Sequence, residues 1–136
     1  MSARPRVLLA DDHPHVVRAV GRLLALDCDV VESVVDGGHL MAAAKRLQPD
    51  VIVLDLSLPN LDGMEACRQL TQTHPEMKVI VFTGKLDATV QARAFAAGAS
   101  AFVSKMSRDN DLLSTIKRLC AGTPSDAPAA ESARVP

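Results

Sequence analysis

This sequence predicts an α/β fold: one parallel sheet of five strands with five helices distributed over its two faces. Three observations predict it. Short apolar runs alternate with amphipathic helical segments from Arg6 to Ala121, and strands separated by helices pair in parallel with the helices covering both faces. The runs at 7–10, 51–54 and 79–82 contain no polar residue, which marks strands buried on both faces. The other two runs are broken by Glu32-Ser33 or short, at 100–104, which assigns them to the edges and gives the order 2-1-3-4-5.

Each element has its own signal. Arg6-Val7-Leu8-Leu9-Ala10 is the first strand and runs into Asp11-Asp12. His13-Pro14 opens the first helix, since proline in the first turn lacks only an N–H that would be unpaired there. Its buried stripe is Val16, Val17, Val20, Leu23 and Leu24, reaching about Leu26. The second strand spans 29–35. Gly37-Gly38 starts a helix with the stripe Leu40, Met41, Ala44 and Leu47, closed by Pro49. The third strand, Val51-Ile52-Val53-Leu54, runs straight into Asp55 and a loop punctuated by Pro59 and Asp62-Gly63. A helix from about Met64 to Thr73 ends at His74-Pro75, and Lys78-Val79-Ile80-Val81-Phe82-Thr83 is the fourth strand. The fourth helix covers roughly 87–97 and stops at Gly98, a favoured residue just past a helix end. Ser100-Ala101-Phe102-Val103-Ser104 leads to Lys105, and the last helix runs from about Arg108 to Ala121. Right-handed crossovers make this order a flavodoxin-like, doubly wound sandwich whose switch point lies between strands one and three.

Composition bounds the function. A chain of 136 residues with 48% apolar content suffices for one domain that removes roughly two-thirds of its unfolded surface from water. A net charge of -1 supplies no basic field for phosphate backbones, so nucleic-acid binding by this chain alone is not expected. With no Trp or Tyr and only Phe82, Phe95 and Phe102 as aromatics, a stacking surface is missing too. No apolar run approaches the ~20 residues of a membrane span, and 1–5 lacks the apolar core of a signal peptide. The expected location is cytoplasmic. Cys28, Cys67 and Cys120, odd in number and widely spaced, are expected to be reduced structural thiols. Residues 122–136 hold three prolines and no apolar stripe, so a tail without a fixed fold is expected there. It would serve equally as a chain end or as a linker to a further domain.

The chemistry is concentrated at the carboxyl ends of the strands, where open α/β sheets bind ligands. Asp11 and Asp12 end strand one, Asp55 strand three, Thr83 strand four and Lys105 strand five. Three carboxylates at one rim are expected to raise one another's pKa unless a cation is bound. An oxygen-only ligand set favours Mg²⁺, which takes one or two carboxylates with water and a phosphate oxygen. Lys105 and the Thr83 hydroxyl suit phosphoryl oxygens, and a carboxylate can itself attack phosphorus to give an aspartyl phosphate.

These residues carry a resemblance. From about Arg6 to Ala121 the chain is similar to the receiver domain of two-component response regulators. The likeness rests on Asp11-Asp12, on Asp55 within Val-Leu-Asp-Leu-Ser-Leu-Pro-Asn-Leu-Asp-Gly, on Thr83-Gly84 and on residues 98–105 ending in Lys105. The resemblance implies that Asp55 accepts a phosphoryl group from a sensor histidine kinase or phosphotransfer protein. It further implies Mg²⁺ held by Asp12, by Asp11 through water, by Asp55 and by the Ser57 backbone carbonyl. Thr83 and Lys105 would hold phosphoryl oxygens while Phe102 turns inward with Thr83. Ser57, Gly84 and Lys85 flank the site where the lifetime of the phosphoryl group is tuned. The output face would be about 87–121, with a homodimer on phosphorylation compatible with it. Asp12-His13-Pro14 and Thr83-Gly84-Lys85 also resemble receivers that precede a LuxR-type helix-turn-helix domain. Ala101, where such receivers usually carry glycine, and Lys85 depart from the pattern.

Other residues receive plainer assignments. Asp62 is expected to serve the turn, His13 and His15 to lie on the surface, and Phe95 to face the core. Turnover beyond self-phosphorylation and autodephosphorylation is not expected, so the chain is not classed as an enzyme. A haloacid-dehalogenase-type phosphatase or phosphotransferase needs a second acid two residues after its nucleophile, where Ser57 stands. A receiver-like module that binds a partner without phosphorylation is the other alternative.

Overall fold

The computed structural model describes residues 4–60, 62–84, 87–106 and 110–121. Its elements are β1 (Arg6–Ala10), α1 (Pro14–Leu24), β2 (Asp29–Val34), α2 (Gly37–Leu47), β3 (Val51–Leu54), α3 (Gly63–Thr73), β4 (Lys78–Thr83), α4 (Ala88–Ala96), β5 (Ala101–Ser104) and α5 (Asn110–Ala121). The strands form one parallel sheet in the order β2-β1-β3-β4-β5. The expected fold class and strand order are those observed.

Period-two alternation divides the core. Leu8, Ile52, Leu54, Val79 and Val81 pack with Leu40, Ala44, Cys67 and Leu70 under α2 and α3, where Ala94 of α4 joins them. Val7, Leu9, Val51, Val53 and Ile80 pack on the opposite face against Val20, Leu24, Leu112 and Ile116 of α1 and α5. Every β3 side chain is fully buried, which is why its sequence shows no polar alternation. Each such side chain contributes roughly 1.5–3 kcal/mol relative to exposure. β2 pairs only with β1 and shifts register between Val7 and Leu8. Its broken apolar run is the mark of that edge.

Local chemistry fixes the helix ends. Asp36, Asp62 and Asp87 cap α2, α3 and α4 with carboxylates that accept backbone N–H groups. Asp62 is therefore a helix cap as well as a turn residue. Gly98 follows α4 at φ +110°, and a Cβ there would lie 2.4 Å from Thr71 Oγ1. Only glycine combines that backbone with that approach.

Three expectations need correction. α1 stops at Leu24, leaving Leu26 88% exposed, because the chain must turn to start β2. β2 stops at Val34, and Val35 is exposed. Phe95 does not face the core: it is 43% exposed, whereas Ala94 is the buried residue of α4. One residue is a rotation of about 100° around a helix, so burying Ala94 turns Phe95 outward. The expected tail at 122–136, together with Lys85, lies outside the described residues.

Candidate functional site

The sheet register builds the site. β1 and β3 align Ala10 with Leu54, and the Asp55 N–H continues the ladder by donating to the Ala10 carbonyl at 2.9 Å. Asp11 and Asp55, the next residues of two neighbouring strands, therefore emerge side by side. Asp11 is fixed in turn by its N–H to the Val34 carbonyl at 3.1 Å. β4 and β5 align Thr83 with Ser104, and the Lys105 N–H donates to the Thr83 carbonyl at 2.7 Å. Lys105 thus leaves the sheet on the same rim, and its side chain reaches back across β4.

Asp11 is fully buried and Asp55 is 2% exposed. Lys105 Nζ lies 2.7 Å from Asp11 Oδ2 and donates to Asp55 Oδ2 at 3.0 Å. The contact with Asp11 is a close ion pair that leaves the buried Oδ2 against the ammonium. Asp55 Oδ1 accepts from the Ser57 N–H at 2.9 Å and the Ser57 hydroxyl at 2.8 Å. The Phe82 ring lies 5.8 Å from Lys105 Nζ, within cation–π range.

Burial opposes the charge on Asp55, but the Ser57 amide and hydroxyl and the Lys105 ammonium outweigh it and hold the carboxyl below its ordinary value. This corrects the expectation that crowding would raise it, since the Ser57 hydrogen bonds and then the Lys105 ammonium favour the charged form. Burial likewise opposes the charge on Lys105, and Asp11 and Asp55 reverse that and raise its pKa. Burial pushes the Cys67 and Cys120 thiols up to about 11. All three cysteines are free thiols, as expected.

Of the residues singled out from the sequence, Asp11, Asp12 and Asp55 come together, with one ligand atom from each and from His13 all within 4.8 Å of one another. Ser57, Thr83, Gly84 and Lys105 line the same open cleft as Asp55. Phe102 is partly buried on the α2–α4 side of the sheet, and Ala101 is buried on the other. His15 is exposed, as expected. His13 is exposed too, as expected. Its side chain is about half exposed, yet Nδ1 sits 2.8 Å from Asp11 Oδ1, 3.3 Å from Asp12 Oδ1 and 3.6 Å from Asp55 Oδ2. The available signal was adjacency, because Pro14 starts α1 only two residues after Asp12 and leaves His13 at the rim.

A buried carboxylate, an acidic pair and a lysine at one rim of a 2-1-3-4-5 sheet have relatives of known kind. The profile of the response regulator receiver domain matches residues 7–117. This chain belongs to that family. The receiver is 33% identical over 120 residues to the response regulator GacA of Pseudomonas protegens, which covers 86% of this chain and 56% of GacA. It therefore spans little more than half the length of that relative. Among solved structures it is similar to a LuxR-family two-component response regulator from Aurantimonas sp. SI85-9A1, at 33% identity and TM-score 0.82, covering 88% of this chain and 87% of that one. It is also similar to a BeF3-activated DrrB receiver domain, at 28% identity and TM-score 0.79, covering 88% and 99%. Receivers of this family are phosphorylation-dependent signalling switches of two-component systems. Among the described residues no helix is long and apolar enough to cross a membrane.

Proposed function

We propose that this receiver accepts a phosphoryl group on Asp55 from a phosphohistidine of a sensor histidine kinase or phosphotransfer protein. The observation that carries this reading is the Asp55 carboxylate itself: 2% exposed, its pKa lowered, and held by Ser57 and Lys105. A carboxylate oxygen of Asp55 attacks phosphorus, the phosphorus–nitrogen bond of the donor breaks, and the imidazole departs with its electron pair. Holding the carboxyl deprotonated keeps the nucleophile available at neutral pH. Lys105 neutralises charge on a phosphoryl oxygen, and Thr83, on the cleft wall, donates its hydroxyl to another.

The residues fit a hard divalent cation. Asp11 Oδ2 is buried against a single ammonium, Lys105 Nζ at 2.7 Å, and the carboxylates of Asp11, Asp12 and Asp55 converge within 4.8 Å, three anions facing one cation. Asp12, Asp55 and the Ser57 carbonyl would hold Mg²⁺ directly, with Asp11 acting through water. Bound there, the ion would neutralise charge on the phosphoryl oxygens during transfer.

Phosphorylation biases a two-state equilibrium rather than making a new fold. Thr83 drawn toward the phosphoryl group would let Phe102 turn inward and change the α4–β5–α5 face, where a partner or a second receiver would dock. Gly84, Lys85 and Ser57 would set how long the group survives. Residues 1–121 would form the phosphoacceptor unit and 122–136 a tail or linker. The test is incubation with acetyl phosphate or phosphoramidate and Mg²⁺, followed by intact-mass measurement. One added phosphate that is absent from Asp55→Asn is the expected result. No adduct from either donor would overturn the reading and leave a phosphorylation-independent binding module.

A further inference from the structure

Between α1 and α5 the structure leaves a cavity of ≈ 460 Å³. Small-molecule sites have volumes of about 300–1,000 Å³ and combine apolar walls with a few polar groups. The floor of this cavity is apolar: Val20 of α1, Phe82 of β4 and Leu112 of α5 open onto it and are otherwise buried. One face of α1 forms a wall, since His15, Ala19 and Arg22 recur at i, i+4 and i+7. They span about 10 Å of the helix, and the lone methyl of Ala19 leaves the middle of that span open. The ionisable side chains around the cavity are all basic. His15, Arg22 and Lys105 line it, and among the described residues no carboxylate does. Lys105 is already paired with Asp11 and Asp55. Arg22 is exposed; the arginine ion pairs belong to Arg4, Arg46 and Arg68, and Arg22 makes none among the described residues.

We propose that this cavity binds an aromatic monocarboxylate of one or two rings, with the ring over Phe82 and Leu112 and the carboxylate paired to the Arg22 guanidinium. Three features select that class. The apolar floor removes hydrocarbon from water, and Phe82 offers an aromatic ring to a flat partner. A planar guanidinium takes a carboxylate through two parallel N–H bonds. One free guanidinium matches one negative charge, and a cationic ligand would meet only basic groups. The proposal stands apart from phosphoryl transfer, because none of the groups assigned to bind the ligand belongs to the acidic cluster. The two sites are nevertheless neighbours, since Lys105 lines both this cavity and the cleft of Asp55.

The experiment titrates the purified chain with sodium 2-naphthoate by calorimetry, in the parent, Arg22→Gln and Ala19→Leu, and repeats the parent titration with uncharged 2-naphthamide. Both substitutions fall on exposed positions of α1 and introduce good helix formers, and circular dichroism checks that each variant is folded. The expected result is saturable one-to-one binding to the parent near or below about 1 mM, the affinity that ordinary efficiency per atom gives a two-ring acid. Arg22→Gln and the amide should each weaken binding about fivefold, the worth of an exposed ion pair. Ala19→Leu, which fills the groove, should weaken it at least as much. No saturable binding to the parent at several times that concentration would overturn the site. Binding that Ala19→Leu leaves unchanged would place naphthoate elsewhere and overturn it too. Binding lost in Ala19→Leu but equal in Arg22→Gln and for the amide would overturn the carboxylate pairing. Sedimentation velocity on the same samples reports self-association. A dimer that Ala19→Leu breaks and naphthoate does not dissociate would give the cavity to a second copy of the chain, and would equally overturn the proposal.

Discussion

Replacing Asp12 by Asn should make the receiver more stable without divalent ions and less stable than the parent with them. Asp12 Oδ1 belongs to a group of carboxylates within 4.8 Å of one another. Two unit charges at that separation repel by ~0.9 kcal/mol in a water-like medium and by ~3.5 kcal/mol at an effective dielectric constant of about 20. Asp12 keeps 36% of its side chain exposed, so the lower end of that range applies. Its near neighbours include two carboxylates, Asp11 and Asp55, whose charge Lys105 partly offsets. A net gain of about 1 kcal/mol follows for the metal-free variant, or ~4 °C in melting temperature for a domain of this size. Magnesium reverses the order. Above its dissociation constant each tenfold rise in free ion adds ~1.4 kcal/mol to the folded state, and the variant enters that regime only at higher concentration. Thermal melts in EDTA and across a MgCl₂ series should therefore cross. Equal stability in EDTA would refute the electrostatic accounting, and coincident MgCl₂ curves would refute Asp12 as a ligand.

Three further outcomes follow from the geometry. The depressed pKa of Asp55 means that its contribution to stability is complete above the unfolded carboxyl value, ~3.9, and is lost as pH falls through the lower folded value. The raised pKa of Lys105 gives the mirror case, present below the unfolded value and lost as pH rises through the higher folded one. Urea unfolding of metal-free protein below pH 4 should show a shallower acid limb in Asp55→Asn than in the parent; identical limbs would contradict the assignment. Thiols at about 11 for Cys67 and Cys120 are nearly all protonated at pH 8, where an unperturbed thiol at ~8.5 is roughly a quarter thiolate. Native protein should therefore alkylate slowly at those two positions and take up three equivalents once unfolded, as counted by mass; fast native labelling of Cys67 would contradict its burial. Gly98→Ala meets a φ of +110° and places Cβ 2.8 Å from Thr71 Cβ. A loss of about 2–4 kcal/mol in urea unfolding is expected from backbone strain and overlap, and a loss below ~1 kcal/mol would show that the α4–β5 turn yields easily.

Much of this molecule is local and therefore legible in the chain. The polar-free runs at Val51–Leu54 and 79–82 mark inner strands because a strand covered on both sides has no place for a polar residue. The broken run at Glu32-Ser33 marks an edge for the converse reason. Asp62 reads as a turn residue, and the structure adds that it and Asp87 cap α3 and α4, because a short carboxylate satisfies free N–H groups within three residues. Phe95 failed as a core residue because which part of a short helix meets the sheet depends on how the helix docks. The small residue Ala94 won that contact. His13 lies on the surface as expected, half its side chain exposed, but that its Nδ1 meets three carboxylates depends on how the strands align.

The order of residues by itself determined the sheet, its strand order and the rim on which Asp11, Asp12, Asp55, Thr83 and Lys105 emerge, because hydrophobic periodicity and crossover handedness act over a few residues or one connection. Tertiary structure alone decided how those groups share charge. Lys105 and Asp55 are 50 positions apart in the chain and 3.0 Å apart in space, so only the folded register adds the ammonium to the local Ser57 hydrogen bonds that lower the Asp55 pKa. It also decided that Asp11 Oδ2 is buried against the Lys105 ammonium and that an imidazole nitrogen joins the carboxylates. Electrostatic energy depends on distances of a few ångströms and on the exclusion of water, and a linear sequence specifies neither until the strands are aligned.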